Sequence, residues 1–459
     1  MLRKAVIVVL SVGALAAPAL APGATPVRGQ TLMPGVVYSR QLEFTAHGPV
    51  VVHVLVAPRP TGLYALKPIL SNDAVVGRER VTSMQRRVSG QGTVAGINGG
   101  SGGLIRDGVL DTTPSADRST VGIDTDGSLH VERLDLEGTW QGSGQRRLLG
   151  VNDPPRAGRT TLYTRAWGAR TPAENGGAHA ILQPFPPTTP NTPLTTTVTG
   201  YTSGGNQPIP PDGAVLVARG AQAGYLSSEA PVGAKVTILL TLTPPWTNVP
   251  QALGGGPLIV RDGKPVYRAF ESFAPEQLAL RNSRSAVGQM ADGRVVMVVA
   301  DGRQPGYSTG LTNFELALMM MRLGCVTASA LDSGAAVTMA FDGKLLNRPA
   351  GRGGERGVAD ALTLFYYGAY APPLASKTFA SNASVALSYK LVRPSTVTAT
   401  VNGPGGVVVP LDSGARAPGT YRLSWKTAGQ PQGAWTFRVT ADDDQGRHSV
   451  AERDFTVRG

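Results

Sequence analysis

Val295–Met339 reads VVMVVADGRQPGYSTGLTNFELALMMMRLGCVTASALDSGAAVTM and sets two aspartates, Asp301 and Asp332, at the ends of two apolar strands joined by one helix. The β-branched run Val295–Ala300 has the character of a buried strand, and it stops at the polar turn Asp301-Gly302-Arg303. Thr312 and Glu315 form a T-x-x-E capping box, an apolar run follows, and Gly324 supplies a left-handed stop. The pattern therefore predicts a helix over 313–323. The next apolar run, 326–331, ends at Asp332, which makes the unit β-α-β with parallel strands. Both aspartates then emerge at one sheet edge, where ligands of such sheets gather, and with Arg303 they point to an anionic or sugar-like substrate. Asp-Gly is also a common turn signal, and for each aspartate taken alone a simple turn is an equally good reading.

The surrounding motifs extend the pattern along the chain. VAGINGG ends at Gly100, LIRDGVL spans 104–110, GGGPLIVRDGKPV 254–266, RNSRSAVG 281–288, VVADGR 298–303, LDSGAAVTM 331–339 and GERGVADAL 354–362. In this order and spacing they resemble the phosphodiester glycosidases, the family of the lysosomal enzyme that uncovers mannose 6-phosphate and of many secreted bacterial proteins. The resemblance covers Gly35 to about Gly368. The family pattern resembles NGDFF, RTAIG, VDGR, LDGGGSTTM and ER-x-VxNAL, so Asn98, Arg284, Asp301, Arg303, Glu315, Asp332 and Arg356 fall on its polar positions.

What the resemblance implies is cleavage of a sugar 1-phosphodiester. The leaving group is already an anion, so a strong general acid is not required; the site must stabilise an oxocarbenium-like transition state and hold phosphate. Asp301 and Asp332 are the catalytic candidates, with their roles unassigned between them. Arg284, Arg303 and Arg356 are candidates for phosphate oxygens, and Asn98 for sugar hydroxyls. Each has a plainer reading. Glu315 is better explained as a helix cap than as a catalytic group, Arg356 as a partner of Glu355, and Asn98 as a turn residue before Gly99 and Gly100.

Two departures from the pattern stand out. The aromatic pair expected after Asn98-Gly99 is missing, and the turn after Asp332 reads Ser333-Gly334-Ala335-Ala336 where the pattern has three glycines and a serine. An alanine tolerates a positive φ poorly, and Ala336 lacks a hydroxyl, so a degenerate glycan-binding protein is the alternative to an enzyme. A wall-associated structural protein, working through its C-terminal module, is a third reading.

The 459 residues allow a large core and more than one domain. The expected class is α+β: a mixed-sheet domain over 36–370, a linker at 371–375, and an all-β module over 376–459 that resembles the immunoglobulin-like sandwich ending flagellar hook-cap proteins. Arg3 and Lys4 precede an apolar run, and Ala19-Leu20-Ala21 reads as a cleavage site, so 1–21 is expected to be a secretory signal and 22–35 an extended segment. No later segment is expected to span a membrane. Export, to the medium or the cell wall of a bacterium, is the expected localisation.

A lone Cys325 excludes an internal disulfide and a thiolate metal cluster. The net charge of +12 comes from scattered residues without interleaved aromatics, which argues against nucleic acid and suits anionic wall polymers. None of the five histidines stands in metal-ligand spacing, no complete metal-ligand set is readable, and no cofactor is assigned. Gly306–Gly310 matches G-x-S-x-G, but Pro305 separates it from the strand that a nucleophile elbow needs.

Overall fold

The computed structural model describes residues 29–100, 102–174, 176–266 and 269–459. The expected signal at 1–21 lies outside the described residues. Part of the segment expected to be extended is a strand, Gln30–Met33.

The α+β expectation is corrected: the described residues form 32 strands and four α-helices, and the fold is predominantly β. The physical reason lies in the many short apolar runs between 149 and 252. Each is too short to bury a helical face, and together with the preceding strands Asp135–Gln141 and Gln145–Leu148 they close a seven-stranded antiparallel sheet around Trp140, Leu216 and Ile238. The helices are satellites. Val81–Val88 packs Val81, Met84 and Val88 on Val94, Ala340 and Phe365, while Asn313–Arg322 packs Leu316, Met319 and Met320 on the opposite side of the molecule's largest sheet.

That largest sheet has eight strands in the order Gln30–Met33, Val36–Thr45, Gly48–Ala57, Val295–Ala300, Arg284–Met290, Cys325–Ala330, Leu258–Arg261, Lys264–Pro265. Val295–Ala300 is apolar throughout because both faces are covered: Val295, Met297 and Val299 enter the central core, and Val296, Val298 and Ala300 face the helix. Val295–Ala300 and Cys325–Ala330 run in the same direction but do not touch. Arg284–Met290 lies between them, antiparallel to both. A five-stranded sheet that includes Thr93–Asn98, Asp360–Tyr366 and Met339–Phe341 packs Ile97, Leu362 and Met339 into the same core.

The helix Asn313–Arg322 is capped as its sequence dictates. Thr312 Oγ1 accepts the Glu315 N–H at 3.1 Å, Glu315 Oε2 accepts the Thr312 N–H at 2.8 Å, and Gly324 adopts φ 88°. Replacing Thr312 by alanine is expected to cost ~1 kcal/mol, read as a lower denaturation midpoint.

Residues 376–459 contribute a five-stranded sheet and a strand pair, Ser384–Leu391 with Gly419–Lys426, packed over Trp425, Trp435 and Phe437. They are joined to the preceding sheets by Tyr370 pairing with Lys390, by the Arg447 guanidinium donating to the Gly62 carbonyl, and by the Ala369 N–H donating to Ser449 Oγ.

Candidate active site

The site forms where the strand Cys325–Ala330 of the large sheet ends beside the strands Thr93–Asn98 and Asp360–Tyr366. Asp332 is held there by its backbone. Its N–H donates to the Gly99 carbonyl at 3.2 Å, and its carbonyl accepts from Ser285 Oγ at 2.8 Å and Asn98 Nδ2 at 3.2 Å. The flanking Leu331 and Gly334 amides donate to the Ser285 and Ser283 carbonyls. The turn is thus fixed from several sides while the Asp332 side chain stays exposed.

Asp332 and Ser333 form the common wall of two cavities. One, of about 310 Å³, is lined by Arg118, Arg284, Gln277, Asn313 and the Gly255-Gly256 backbone. The other, of about 230 Å³, is lined by Arg78, Gly99, Gly100, Ala335, Ala336, Arg356 and Asp360.

The first cavity is cationic. Arg284 is 4% exposed, and its Nε and Nη2 donate to the carbonyls of Leu311, Gln277 and Leu280 rather than to a carboxylate. Its burial away from water pulls its pKa down to about 10, still charged at neutral pH. Arg118 stacks on Phe273 at 4.4 Å from the ring centre. Asn313, the first residue of the capped helix, is 7% exposed, and its Oδ1 is buried without a hydrogen-bond partner among the described residues. A buried acceptor in that condition costs about 1–3 kcal/mol, which a hydroxyl donor in the cavity would recover.

The second cavity carries a carboxyl that sequence reasoning missed, Asp360. Its backbone carbonyl accepts the Gly99 N–H at 3.0 Å, and its Oδ1 lies so close over Gly99 that a Cβ there would sit 1.7 Å away. Gly100 is equally confined, with a Cβ meeting the Gly254 carbonyl at 2.4 Å. The Asn98-Gly99-Gly100 run therefore exists to bring bare backbone against Asp360 and Asp332. Burial, with the nearby Asp332 charge second, pushes the Asp360 carboxyl up to about 8.

The structure separates the candidates read from sequence. Asp332, Arg284 and Arg356 line the paired cavities. Asn98 lies beneath them, fully buried: its Nδ2 donates to the Gly99 and Asp332 carbonyls and its Oδ1 accepts the Thr338 N–H, so it positions the Asp332 turn. Asp301 lines neither cavity. It is 1% exposed and accepts from His53, Tyr307, Asn347 and the Arg348 N–H. Arg303 is exposed with φ 58°, its Nη1 near the Gly334 turn, and lines neither cavity. Glu315 caps its helix and pairs with Arg281. Ser308 of the G-x-S-x-G match is buried, its hydroxyl donating to the Asp301 carbonyl.

The altered turn at 333–336 is not strained. Its positive φ falls on Gly334, at 74°, whereas Ala335 stays outside the left-handed region. Among the residues not foreseen, Asp360 stands inside the GERGVADAL run and Asn313 directly follows the helix cap, so both were readable from local motifs. Arg118 and Arg78 have no local signal.

Residues 193–365, which include Asp332 and Asp360, match the sequence model of the phosphodiester glycosidase family. Over these residues the chain is similar to the phosphodiester glycosidases. A 108-residue stretch is 34% identical to the SPbeta prophage-derived uncharacterized protein YomE of Bacillus subtilis (strain 168), and covers 24% of this chain but 16% of that protein's length. The fold resembles that of a hypothetical protein from Synechocystis, with TM-score 0.62 and 24% identity over 75% of this chain and 64% of that one. It also resembles a Burkholderia pseudomallei K96243 protein whose name calls it exported, with TM-score 0.57 and 23% identity over 69% of this chain and 74% of that one. No helix among the described residues is long and apolar enough to cross a membrane.

Proposed function

We propose that the protein hydrolyses the glycosidic bond of sugar 1-phosphodiesters, with Asp332 at the scissile bond. The observation that carries this reading is the placement of Asp332 in the wall between a cavity with two arginines and no further acid and a smaller one in which Arg78 and Arg356 stand beside a second carboxyl, Asp360. In this arrangement the phosphodiester occupies the Arg118–Arg284 side and the sugar the Asp360 side. The Asp332 carboxylate faces the anomeric carbon, where positive charge develops as the bond to the phosphate oxygen breaks and its electron pair leaves with the departing phosphate monoester. Water then adds to the anomeric carbon and gives up a proton. Arg284 binds with little reorganisation because its guanidinium is already fixed by three carbonyls.

The test is release of free sugar from a panel of nucleotide sugars and sugar 1-phosphodiesters, with Asp332→Ala as control. Absence of turnover on every member, or turnover that persists in the control, would count against the reading. Arg118→Ala is expected to raise KM for a phosphodiester about tenfold, the value of one charge-assisted contact, while an uncharged aryl glycoside gains no such sensitivity.

Export and action on wall or capsular glycans fit the basic, apolar N-terminal sequence and the +12 charge, which attracts anionic polymers. Under this reading residues 376–459 tether the hydrolase to the wall, and their deletion should reduce wall retention. A second reading, glycan binding without turnover, draws on Ala335 and Ala336, which present methyl groups to the sugar-side cavity. Saturable glycan binding with no sugar release would select it.

A further inference from the structure

We propose that Asp360 is the positioning partner of Asp332: the two carboxyls share one proton, Asp360 carries it, and Asp332 thereby works as a lone carboxylate. The inference rests on the reading of Asp332 given above and adds a residue, and a pH limit, to that site.

Geometry carries the argument. Both side chains line the same 230 Å³ cavity, and both are anchored to one residue, Gly99. The Gly99 amide donates to the Asp360 carbonyl, the Asp360 Oδ1 covers the Gly99 Cα, and the Gly99 carbonyl accepts the Asp332 N–H. The two backbones cannot move apart without breaking the turn that Asn98 and Ser285 hold, so both side chains start from fixed positions at one cavity. Two carboxylates confined in this way repel if both ionise, so one retains its proton, and the one nearer apolar packing retains it.

Asp360 is that one. It opens the strand whose next residues, Ala361 and Leu362, are fully buried, whereas Asp332 is exposed. The charged groups facing the Asp360 carboxyl are few. Asp332 approaches from the loop after Cys325–Ala330, and Arg78 from the segment before the helix Val81–Val88. Arg356 reaches the cavity from the segment before Asp360's own strand. The Gly100 N–H and Arg78 favour the ionised form; burial and Asp332 oppose it more strongly and place the titration at about 8. Among the described residues no arginine forms an ion pair with Asp360, unlike Asp107, Asp412 or Asp443, each of which has a basic partner within 3 Å.

A protonated Asp360 offers one O–H donor and one acceptor, as a side-chain amide does, and is neutral beside the reacting carboxylate. Above its titration the cavity gains a second negative charge. The sugar-side wall then repels an anionic substrate, and the Asp332 carboxylate loses its neutral neighbour.

The sign for stability follows. The folded chain holds this proton up to about 8 while the unfolded chain releases it in the ordinary carboxylate range. Stability contributed by this group is thus present in acid and is lost progressively as pH rises from about 4 to about 8.

The first experiment is carbon-13 NMR of the full chain labelled at the aspartate carboxyl carbon, titrated between pH 4 and 10. One carboxyl should remain protonated at pH 7 and titrate near 8, should be absent from Asp360→Asn, and should titrate lower in Asp332→Asn. Ionisation of every carboxyl at pH 7, or a late-titrating carboxyl that survives Asp360→Asn, overturns the proposal. This readout does not depend on turnover, so it separates failure of the proton-sharing pair from failure of the hydrolase reading. Where sugar release is measurable, the wild-type rate should fall about tenfold per pH unit above 8, and Asp360→Asn should lack this fall whatever its absolute rate. The same alkaline fall in the variant would also overturn it.

Discussion

Asp301→Ala is expected to lower the unfolding free energy by ~3–5 kcal/mol, the range found when one partner of a buried charged network is removed. The carboxylate is 1% exposed and accepts from His53 Nε2 at 3.1 Å, the Tyr307 hydroxyl at 3.1 Å, Asn347 Nδ2 at 2.9 Å and the Arg348 N–H at 3.2 Å. Deleting it strands these donors away from water, each at about 1–3 kcal/mol before relaxation. The loss would spread, because the carboxylate joins three separate parts of the chain: His53 on the strand Gly48–Ala57, Tyr307 after Val295–Ala300, and Asn347 beyond Met339–Phe341. His53 is also bound to the Tyr38 hydroxyl at 2.7 Å, and burial has pushed that phenol up to about 12, so Tyr38 stays neutral and does not replace the lost negative charge. Asp301→Asn should cost less, since one oxygen still accepts. Equilibrium urea unfolding measures both; a shift under 1 kcal/mol for Asp301→Ala would show that the network relaxes or admits water.

The same residue marks how far the sequence could be read. Local rules located the strand Val295–Ala300 to the residue and the helix after Thr312 to within one, because a β-branched run and a capping box act over a few residues. They also set Asp301 and Asp332 at one edge. They could not reveal that Arg284–Met290, from earlier in the chain, inserts between the two strands, since strand pairing is decided by partners far away in sequence. Nor could they tell that one aspartate turns inward to four donors while the other stays exposed at a cavity wall. The α+β expectation failed for a related reason: the short runs between 149 and 252 acquire their structure only by pairing with one another and with the strands at 135–148, which local rules do not reveal. Asp360 was legible and overlooked. It lies in a quoted motif, but its meaning depends on Gly99, 261 positions away, which lacks the side chain that would displace it.

Asp332→Ala should reverse the pattern of Asp301→Ala: turnover falls by about 10³–10⁴, or ~4–5.5 kcal/mol of transition-state stabilisation, while the denaturation midpoint barely moves. The expectation follows from what holds the residue. Its N–H, and the carbonyl that Ser285 and Asn98 grip, are backbone groups that alanine keeps, and the side chain removed is exposed at the cavity wall. Asp332→Asn keeps the shape and removes the charge, so equal loss in both variants assigns the effect to charge, whereas recovery in the asparagine variant assigns it to hydrogen bonding. Measured kcat/KM alongside urea midpoints gives each aspartate two numbers. If the hydrolase reading is right they fall in opposite corners, with Asp301 structural and Asp332 chemical. If Asp332→Ala instead loses stability and Asp301→Ala loses turnover at unchanged stability, the site lies at the His53–Asp301–Tyr307 network and the paired cavities are not where the bond is broken.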